Sequence, residues 1–357
     1  MIVSCRTVAF RAAVCIAVAL ALLYPHAAVG SPATDPSSGL INPQAIVFNP
    51  ATKKVYVVDQ AHSAVDVIDT IGQTPHSIAV GAAPVSIAVD SASGRAYVAN
   101  AGDGTVSIID GTSNQILATV PVGARPYSIA ANPLTGMVYV SHTFSDKTTV
   151  LDGATRAVTQ LVTGSIDLIA IDSAADTAWL LAYEGGNVTI VQRGSLRKAN
   201  AGKHAWGMAL NEVTHTLYAA RMGTGDVIAL NGTSHSIMPA GRTPCAVAVN
   251  PKSNAIFVAN YADGTVTVLD GGTGSITATI PVGEHPQALA VDALRNLVYV
   301  ANTSSNTVTI IDGQSRRAVG TLPAGRAPYA LAVDPGSARL YVANEAGDSH
   351  FTIVHVP

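Results

Sequence analysis

One aromatic side chain recurs in a short apolar segment at almost constant spacing along this 357-residue chain. Successive copies lie 39 to 42 residues apart. The recurring residues are Tyr56, Tyr97, Tyr139, Trp179, Tyr218, Phe257, Tyr299 and Tyr341. A fixed period of this length indicates tandem copies of one structural unit, each of which buries its apolar surface against its neighbours.

Each unit has the pattern of four short β-strands. In the sixth copy, residues 245–249 precede the aromatic strand, Asp263-Gly264 leads into the alternating segment 265–269, and residues 276–282 form the fourth strand. Val, Ile and Thr favour strands, and Asp-Gly favours turns. Sheets this small bury their faces by radial stacking, so the sequence predicts an all-β fold, a β-propeller of four-stranded antiparallel blades. Eight copies predict eight blades; seven blades with one degenerate unit outside the ring is the alternative.

The number of strands predicts how the ring is closed. First, second and third strands each occur eight times, whereas fourth strands occur seven times because the chain stops at Pro357. Residues 38–42, just before the first repeat, are in the right place to supply the missing strand. We therefore expect an N-terminal strand to close the ring and to remove its last exposed edge.

The aromatic strands also carry a family resemblance. They read Tyr-Val-Ala-Asn at 97–100, 299–302 and 341–344, and the strand that follows reads Thr-Val-Thr-Val at 265–268. This pattern resembles the YVTN family of β-propeller repeats over essentially the whole chain after residue 30. The resemblance implies an exported surface or periplasmic propeller, similar to the haem-d1-binding propellers of nitrite reductases and to some lactonases. It implies fold and compartment and leaves the chemistry open.

Residues 1–30 have the pattern of a secretory signal peptide. Arg6 and Arg11 supply positive charge, residues 12–23 form an apolar run, and small residues at 28–30 suit a cleavage site. The apolar run is too short for a good membrane span, and no later segment replaces it. We expect a periplasmic or secreted protein in which residues 31–357 form a single propeller domain with no membrane span; a single N-terminal anchor is the alternative.

Charge and cysteine content argue against two functions, nucleic-acid binding and catalysis by a cysteine nucleophile. The 20 Lys and Arg residues include Arg6 and Arg11, so 18 remain after the leader against 23 Asp and Glu. A net-acidic chain gives no reason to expect nucleic acid as a partner. Cys245 is the one cysteine after residue 30 and lies in an apolar run, so we interpret it as a buried packing residue rather than a nucleophile.

Comparison between the copies separates the scaffold from a candidate site. Aspartates that recur at equivalent turns are interpreted as turn formers: Asp69, Asp110, Asp152, Asp270 and Asp312 after third strands, and Asp90, Asp172, Asp292 and Asp334 after first strands. Asn100, Asn260, Asn302 and Asn344 are expected to open the turn after the aromatic strand.

Loops that join fourth to first strands should share one face of the ring with loops that join second to third strands. Basic, imidazole and aromatic residues collect at these loops, where the copies differ most. The candidate binding residues are Arg125, Tyr127, His142, His204, Trp206, Arg221, Arg242, Tyr261, His285, Arg326 and Tyr329. Charges beside aromatic walls are typical of a small-ligand pocket, and radial geometry would focus a positive field on the central channel.

The leading hypothesis is an exported, non-catalytic binding scaffold, which takes an anionic or polar small molecule, or a protein segment, on this basic loop face. The rival is a propeller enzyme, lactonase-like, lyase-like or haem-type redox, that uses the same funnel; a purely structural envelope protein is a third hypothesis. Motifs such as Gly-x-Ser-x-Gly and His-Glu-x-x-His do not occur. A metal site formed by His142, His204 and His285 is a less favoured alternative. The sequence leaves the cofactor unknown, and we expect a monomer.

Overall fold

The computed structural model of the protein describes residues 43–70, 75–346 and 351–356. Those residues form 31 β-strands and no helix. Consequently no helix among them is long and apolar enough to cross a membrane. The strands of the first four blades are β1 (Pro43–Asn49), β2 (Lys54–Asp59), β3 (Ala64–Asp69), β4 (Pro75–Ala79), β5 (Pro84–Asp90), β6 (Arg95–Asn100), β7 (Thr105–Asp110), β8 (Gln115–Pro121), β9 (Pro126–Ala131), β10 (Met137–His142), β11 (Lys147–Asp152), β12 (Val158–Val162), β13 (Leu168–Asp172), β14 (Thr177–Leu181), β15 (Asn187–Gln192) and β16 (Ser195–Asn200).

The remaining blades repeat the same order of strands. They are β17 (Ala205–Asn211), β18 (Thr216–Arg221), β19 (Asp226–Asn231), β20 (Ser234–Pro239), β21 (Pro244–Asn250), β22 (Ala255–Asn260), β23 (Thr265–Asp270), β24 (Ile276–Pro281), β25 (Pro286–Asp292), β26 (Leu297–Asn302), β27 (Thr307–Asp312), β28 (Arg317–Pro323), β29 (Arg326–Asp334), β30 (Arg339–Ala346) and β31 (Phe351–His355). Consecutive strands pair antiparallel within each sheet, and every sheet begins with its first strand at the centre of the ring.

Eight sheets form a closed ring, which confirms the predicted eight-bladed propeller. The first strand of each blade contacts the first strand of the next blade around the circle, and β29 of blade 8 contacts β1 of blade 1. The seven-bladed alternative is wrong, because the contact between β29 and β1 leaves no unit outside the ring. Radial stacking of this kind leaves each small sheet with a neighbour on both faces.

Blade 8 has three strands among the described residues, β29, β30 and β31, whereas each of the other blades has four. The predicted fourth strand at residues 38–42 lies outside the described residues, as does the predicted signal peptide at residues 1–30. Both therefore stay predictions. A side-chain contact nevertheless joins blades 8 and 1, since the Arg339 guanidinium donates a hydrogen bond to the Thr70 carbonyl.

The recurring aromatic side chains fill the spaces between blades. Tyr56, Tyr97, Phe257, Tyr299 and Tyr341 are all fully buried. Tyr299 of blade 7, for example, packs with apolar side chains of blade 8. Large rings bury much apolar area per residue, so this one position accounts for much of the cohesion between neighbouring blades.

We expect Tyr299→Phe to leave the free energy of unfolding unchanged or to raise it by about 1 kcal/mol, because a buried hydroxyl without a partner opposes folding. Among the described residues, the Tyr299 hydroxyl has no hydrogen-bond partner, and Phe257 fills the equivalent place in blade 6. Tyr299→Ala should instead lower it by about 4 kcal/mol. Urea unfolding curves test both; a loss above about 1 kcal/mol for Tyr299→Phe would contradict the first expectation.

The turns after first and third strands lie on one face of the ring, here called the lower face. The Asp110 carboxylate accepts hydrogen bonds from the backbone N–H groups of Thr112 and Ser113, and Asp152, Asp270 and Asp312 repeat this arrangement. Asp90 and Asp292 do the same after first strands, while Asp172 and Asp334 each accept one such bond, from the Ala175 and Gly336 N–H groups. The interpretation of these aspartates as turn formers is therefore confirmed; the turn after Asp69 lies at residues outside the described part of the chain.

Candidate functional site

The other face of the ring, here called the upper face, carries the loops from fourth to first strands and the loops from second to third strands. Backbone hydrogen bonds join the two loops of one blade: Ala101 to Ala83, Thr143 to Arg125, His204 to Tyr183, Tyr261 to Thr243 and Thr303 to His285, with N···O distances of 2.9 to 3.1 Å. The predicted sharing of one face by these loops is therefore confirmed.

A strained backbone conformation recurs at the end of the fourth-to-first loop. The residue there has a left-handed φ in six blades, at Ala83, Arg125, His204, Thr243, Ala327 and His285, with φ between 49° and 60°. Non-glycine residues rarely adopt this conformation. Because Ala83 and Ala327 share it, the blade architecture imposes it, and a blade with a charged residue at this point presents that side chain at the upper face.

The first strands are bulged just after these loops. The register with the second strand shifts near the start of the first strand in seven blades, whereas β13 of blade 4 pairs without a shift. A bulge removes one residue from the ladder and redirects its side chain. Tyr127, Trp206, Cys245 and Tyr329 occupy this position in their blades, which explains why the copies differ here while the next few positions are alike.

A large cavity opens on the upper face over blades 3, 4 and 5. Its volume is about 1180 Å³, which is in the range of sites for small molecules. We call it the main cavity; its aromatic and charged lining residues are Tyr127, Phe144, Asp167, Tyr183, Glu184, Lys198, His204 and Trp206. At its lower end the channel is narrow, with a volume of about 110 Å³ and a lining of mostly small apolar side chains.

The aromatic walls of the main cavity are arranged around Tyr183. The rings of Tyr183 and Trp206 meet edge to face, with centroids 5.2 Å apart and planes at 82°. The imidazole of His204 lies against the same tyrosine, with centroids 5.4 Å apart. Such contacts hold the rings in one orientation, so the wall is formed before any ligand arrives.

Asp167 is the half-buried carboxylate of the main cavity. One of its oxygens accepts a 2.7 Å hydrogen bond from the Tyr183 backbone N–H. Burial raises the pKa of this carboxyl above its ordinary value; the Tyr183 hydrogen bond opposes the rise, and the nearby negative charge of Glu184 adds to it. Burial, followed by the Asp167 charge, likewise raises the pKa of Tyr127. The cavity thus holds two carboxylates whose charges repel each other.

In blade 4, the Lys198 side chain takes over a hydrogen-bonding role that an asparagine has in other blades. In blade 2, the Asn100 side-chain amide donates to Thr105 and Ser107 of its own blade, and Asn260 and Asn302 repeat the pattern. Blade 4 has Ala182 at this position. There the Lys198 ammonium donates to the Thr163 carbonyl at 2.7 Å and to Thr189 Oγ1 at 2.6 Å. Two of its three protons are therefore committed to the blade.

Phe144 stands at the rim of the main cavity with 83% of its surface exposed. Its φ is 62°, which is an unusual conformation for a bulky residue. In other blades the left-handed residue of this loop comes two positions later, as at Gly104 and Gly264. Blade 3 therefore has a differently folded loop, and this loop presents an aromatic ring to solvent.

Several sequence candidates lie at the main cavity or beside it. Tyr127, His204 and Trp206 line it directly. Arg125 lines a second cavity of about 400 Å³ over blades 1 to 3, which shares Tyr127 and Phe144 with the main cavity. The structure thus brings four of the candidates to one region of the upper face.

Other candidates lie elsewhere on the upper face. His285 stacks on Tyr261 with centroids 4.4 Å apart, and its Nδ1 lies 2.6 Å from Ser304 Oγ. Arg242 is exposed and forms an ion pair with Asp263, with an N···O distance of 2.5 Å. Arg326 is exposed at the start of β29. None of these four residues lines the main cavity.

Three candidates belong to the packing of the blades. His142 is 4% exposed, with Nε2 at 2.8 Å from Thr149 Oγ1 and Nδ1 at 3.1 Å from the Ala124 carbonyl. Burial lowers the pKa of His142. Arg221 forms a two-point ion pair with Asp226. Tyr329 is 7% exposed in the core between blades 8 and 1.

The metal alternative finds no support in the part of the chain that the structure describes. No group of three or more His, Cys, Asp or Glu side chains there is placed to hold a metal ion, so His142, His204 and His285 do not form such a group. Cys245 is a buried thiol outside any disulfide, and its Sγ lies 3.2 Å from the Pro286 carbonyl, as expected of a packing residue.

Known proteins share the fold of this chain at low sequence identity. Hydrazine synthase of Kuenenia stuttgartiensis has 16% identity over 89% of this chain and 96% of that chain, with a TM-score of 0.61. AztD of Citrobacter koseri has 13% identity over 82% of this chain and 88% of that chain, with a TM-score of 0.63. No family model and no curated protein match the sequence. At these identities the likeness shows a shared β-propeller fold alone, and the YVTN resemblance stays a prediction.

Proposed function

We propose that this protein is an exported, non-catalytic binding scaffold of YVTN-type repeats, and that it holds a small polar molecule in the main cavity. The observation that carries the proposal is the cavity itself: about 1180 Å³ at the wide end of the channel, walled by preformed aromatic contacts. Concave sites with aromatic walls and a few fixed polar groups are the usual form of a small-molecule site.

Phe144 gives independent support to a ligand at this place. A phenylalanine that is 83% exposed gains nothing from burial, and its left-handed backbone costs about 1 kcal/mol or more. Exposed apolar surface beside a cavity is typical of a recognition site. A bound molecule that covers the ring would offset both costs.

The charges of the main cavity favour a different ligand from the anion that the basic loops suggest. Arg242, His285 and Arg326 lie outside the cavity, and Arg125 lines only its neighbour. Asp167 and Glu184 lie inside it. An anion in the main cavity would therefore meet two carboxylates before it met an unengaged arginine.

The proposed place of action is outside the cytoplasm. The basic start, the apolar run at 12–23 and the small residues at 28–30 support a cleaved leader. A single cysteine after residue 30 means that the domain needs no disulfide of its own in an oxidising compartment. N-terminal sequencing of the protein from its own host would test the cleavage directly.

The test of the binding function is native mass spectrometry of the full chain, produced in its own host and purified without denaturation. We expect a non-covalent adduct on the parent protein. Phe144→Ser should reduce the occupied fraction at least tenfold, because it removes the exposed ring at the rim. The matched control is Leu134→Ser, since Leu134 is 71% exposed on the lower face of the same blade.

Two results would overturn the proposal. One is the absence of any adduct on the parent protein. The other is an adduct that Phe144→Ser and Leu134→Ser retain equally, because the main cavity would then not be its site. Circular dichroism and melting curves of both variants confirm that each keeps the fold, as expected for exposed positions.

A further inference from the structure

Four aromatic rings face the main cavity from three blades. Tyr127 and Phe144 belong to blade 3, Tyr183 to blade 4 and Trp206 to blade 5. The face of an aromatic ring carries a partial negative charge and attracts cations within about 6 Å. Rings on several sides of one space are typical of sites for ammonium groups carried on an apolar frame.

The carboxylates of the cavity also favour a positively charged ligand. None of the ion pairs among the described residues involves Asp167 or Glu184. Burial raises the pKa of Asp167 and the nearby charge of Glu184 adds to the rise, whereas the Tyr183 N–H hydrogen bond opposes it. A positive charge close to Asp167 would stabilise its ionised form. A cation between the two carboxylates would relieve their repulsion.

The Lys198 ammonium lines the cavity, but among the described residues it forms no ion pair with Asp167 or Glu184. The Lys198 ammonium is held by the Thr163 carbonyl and Thr189 Oγ1, in the role that asparagine amides have in blades 2, 6 and 7. His204 packs against the Tyr183 ring. A positive charge from outside the chain would therefore meet two carboxylates that form no ion pair among the described residues.

We infer that the main cavity takes an organic cation, a small molecule with an ammonium group on an apolar frame. Asp167 and Glu184 supply the opposite charge, and Tyr127, Tyr183 and Trp206 surround the ammonium group, while Phe144 covers the apolar part from the rim. This inference rests on the proposed binding function and specifies the chemical class of its ligand.

Choline and 3,3-dimethylbutan-1-ol form the matched pair of probes, since they have nearly the same shape and differ in charge. The full chain contains two tryptophans, the buried Trp179 and the cavity residue Trp206. In a Trp179→Phe background the emission therefore reports on the cavity alone, and Phe257 shows that a blade accepts phenylalanine at that core position. We expect choline to bind at least tenfold more tightly than the neutral alcohol.

Asp167→Asn in the same background should weaken choline binding about tenfold and leave binding of the alcohol unchanged. The control is Asp103→Asn, on the upper face of blade 2. The Asp103 carboxylate accepts a hydrogen bond from the Ala82 N–H and does not line the main cavity. Equal binding of the two probes, no binding of choline, or full choline binding by Asp167→Asn would each overturn the inference. The host adduct and its loss in Phe144→Ser decide the proposed function separately, because they do not depend on the charge of the ligand.

Discussion

The substitution Gly207→Val is expected to lower the free energy of unfolding by about 3 kcal/mol or more. Gly207 lies on β17, where the first strand of blade 5 approaches β21 of blade 6. A Cβ on Gly207 would lie 2.5 Å from the Cys245 carbonyl oxygen and 2.8 Å from the Ala246 Cα. Both are backbone atoms of the neighbouring blade, so the clash is relieved only if the two blades move apart, and dense interiors resist such movement.

Gly320→Val is the matched control for this substitution. Gly320 lies on the outer strand β28, has no left-handed φ, and its added Cβ would meet only Ile310 Cδ1, at 3.7 Å. A β-branched residue suits such a position, so no loss of stability is expected. Urea unfolding followed by circular dichroism compares the two variants. Equal stability of both would show that blades 5 and 6 can separate at no cost, contrary to the packing seen here.

The fold was predictable because the repeat carries its information locally. Aspartates such as Asp110 and Asp270 fold their turns through backbone groups two and three residues away. Each blade therefore depends on short-range contacts and on the same aromatic position, and the same pattern recurs in all eight copies. Blade number follows from counting, because every copy must contact its neighbours in a closed ring.

The candidate site was partly predictable because residue types vary between the copies at the bulge of the first strand, whereas the positions that follow are alike in all copies. Tyr127 and Trp206 occupy this position and reach the main cavity. Tyr329 occupies it as well, yet it packs between blades 8 and 1. Tyr329 packs there with Ile46 and Val55 of blade 1, which lie near the other end of the chain, so no local sequence pattern reveals this contact.

His142 and Arg221 show that residues which depart from the repeat can take part in the packing of their own blades. Each stands where blades 2, 6 and 7 have asparagine, and each makes hydrogen bonds inside its own blade. For Arg221 the partner differs as well, since Asp226 stands where blade 2 has Thr105. Comparison of these paired positions would have predicted the ion pair between Arg221 and Asp226.

Phe144 and Lys198 are cavity residues that the sequence analysis missed. Lys198 lies on the outer strand β16 and reaches the cavity through its long side chain, which no local pattern reveals. Phe144 is unusual in its backbone: its φ is 62°, whereas in blades 1, 2, 4, 6 and 7 the left-handed residue of this loop comes two positions later, at Ser63, Gly104, Gly186, Gly264 and Asn306. A large apolar residue in a loop of polar and small residues is the sequence feature that marks this difference.

Asp226→Ala is expected to lower the free energy of unfolding by about 3 kcal/mol, because it leaves the Arg221 guanidinium nearly buried without its counter-charge. The side chains of Arg221 and Asp226 are 12% and 16% exposed, and their two contacts measure 2.5 and 2.7 Å. Arg221→Asn alone should also be destabilising, since it leaves the Asp226 carboxylate with the Thr224 hydroxyl as its remaining side-chain partner. Thermal and urea unfolding measure both losses.

The double variant Arg221→Asn with Asp226→Thr should recover stability to within about 1 kcal/mol of the parent, because residues in one hydrogen-bonded pair do not contribute additively. It rebuilds in blade 5 the pair that Asn100 and Thr105 form in blade 2, where the side-chain N···O distance is 3.0 Å. A double variant that is as unstable as the sum of its parts would show that Arg221 stabilises the protein through contacts beyond Asp226. Recovery, together with an unchanged adduct in native mass spectrometry, would assign Arg221 to the scaffold and leave ligand binding to the main cavity.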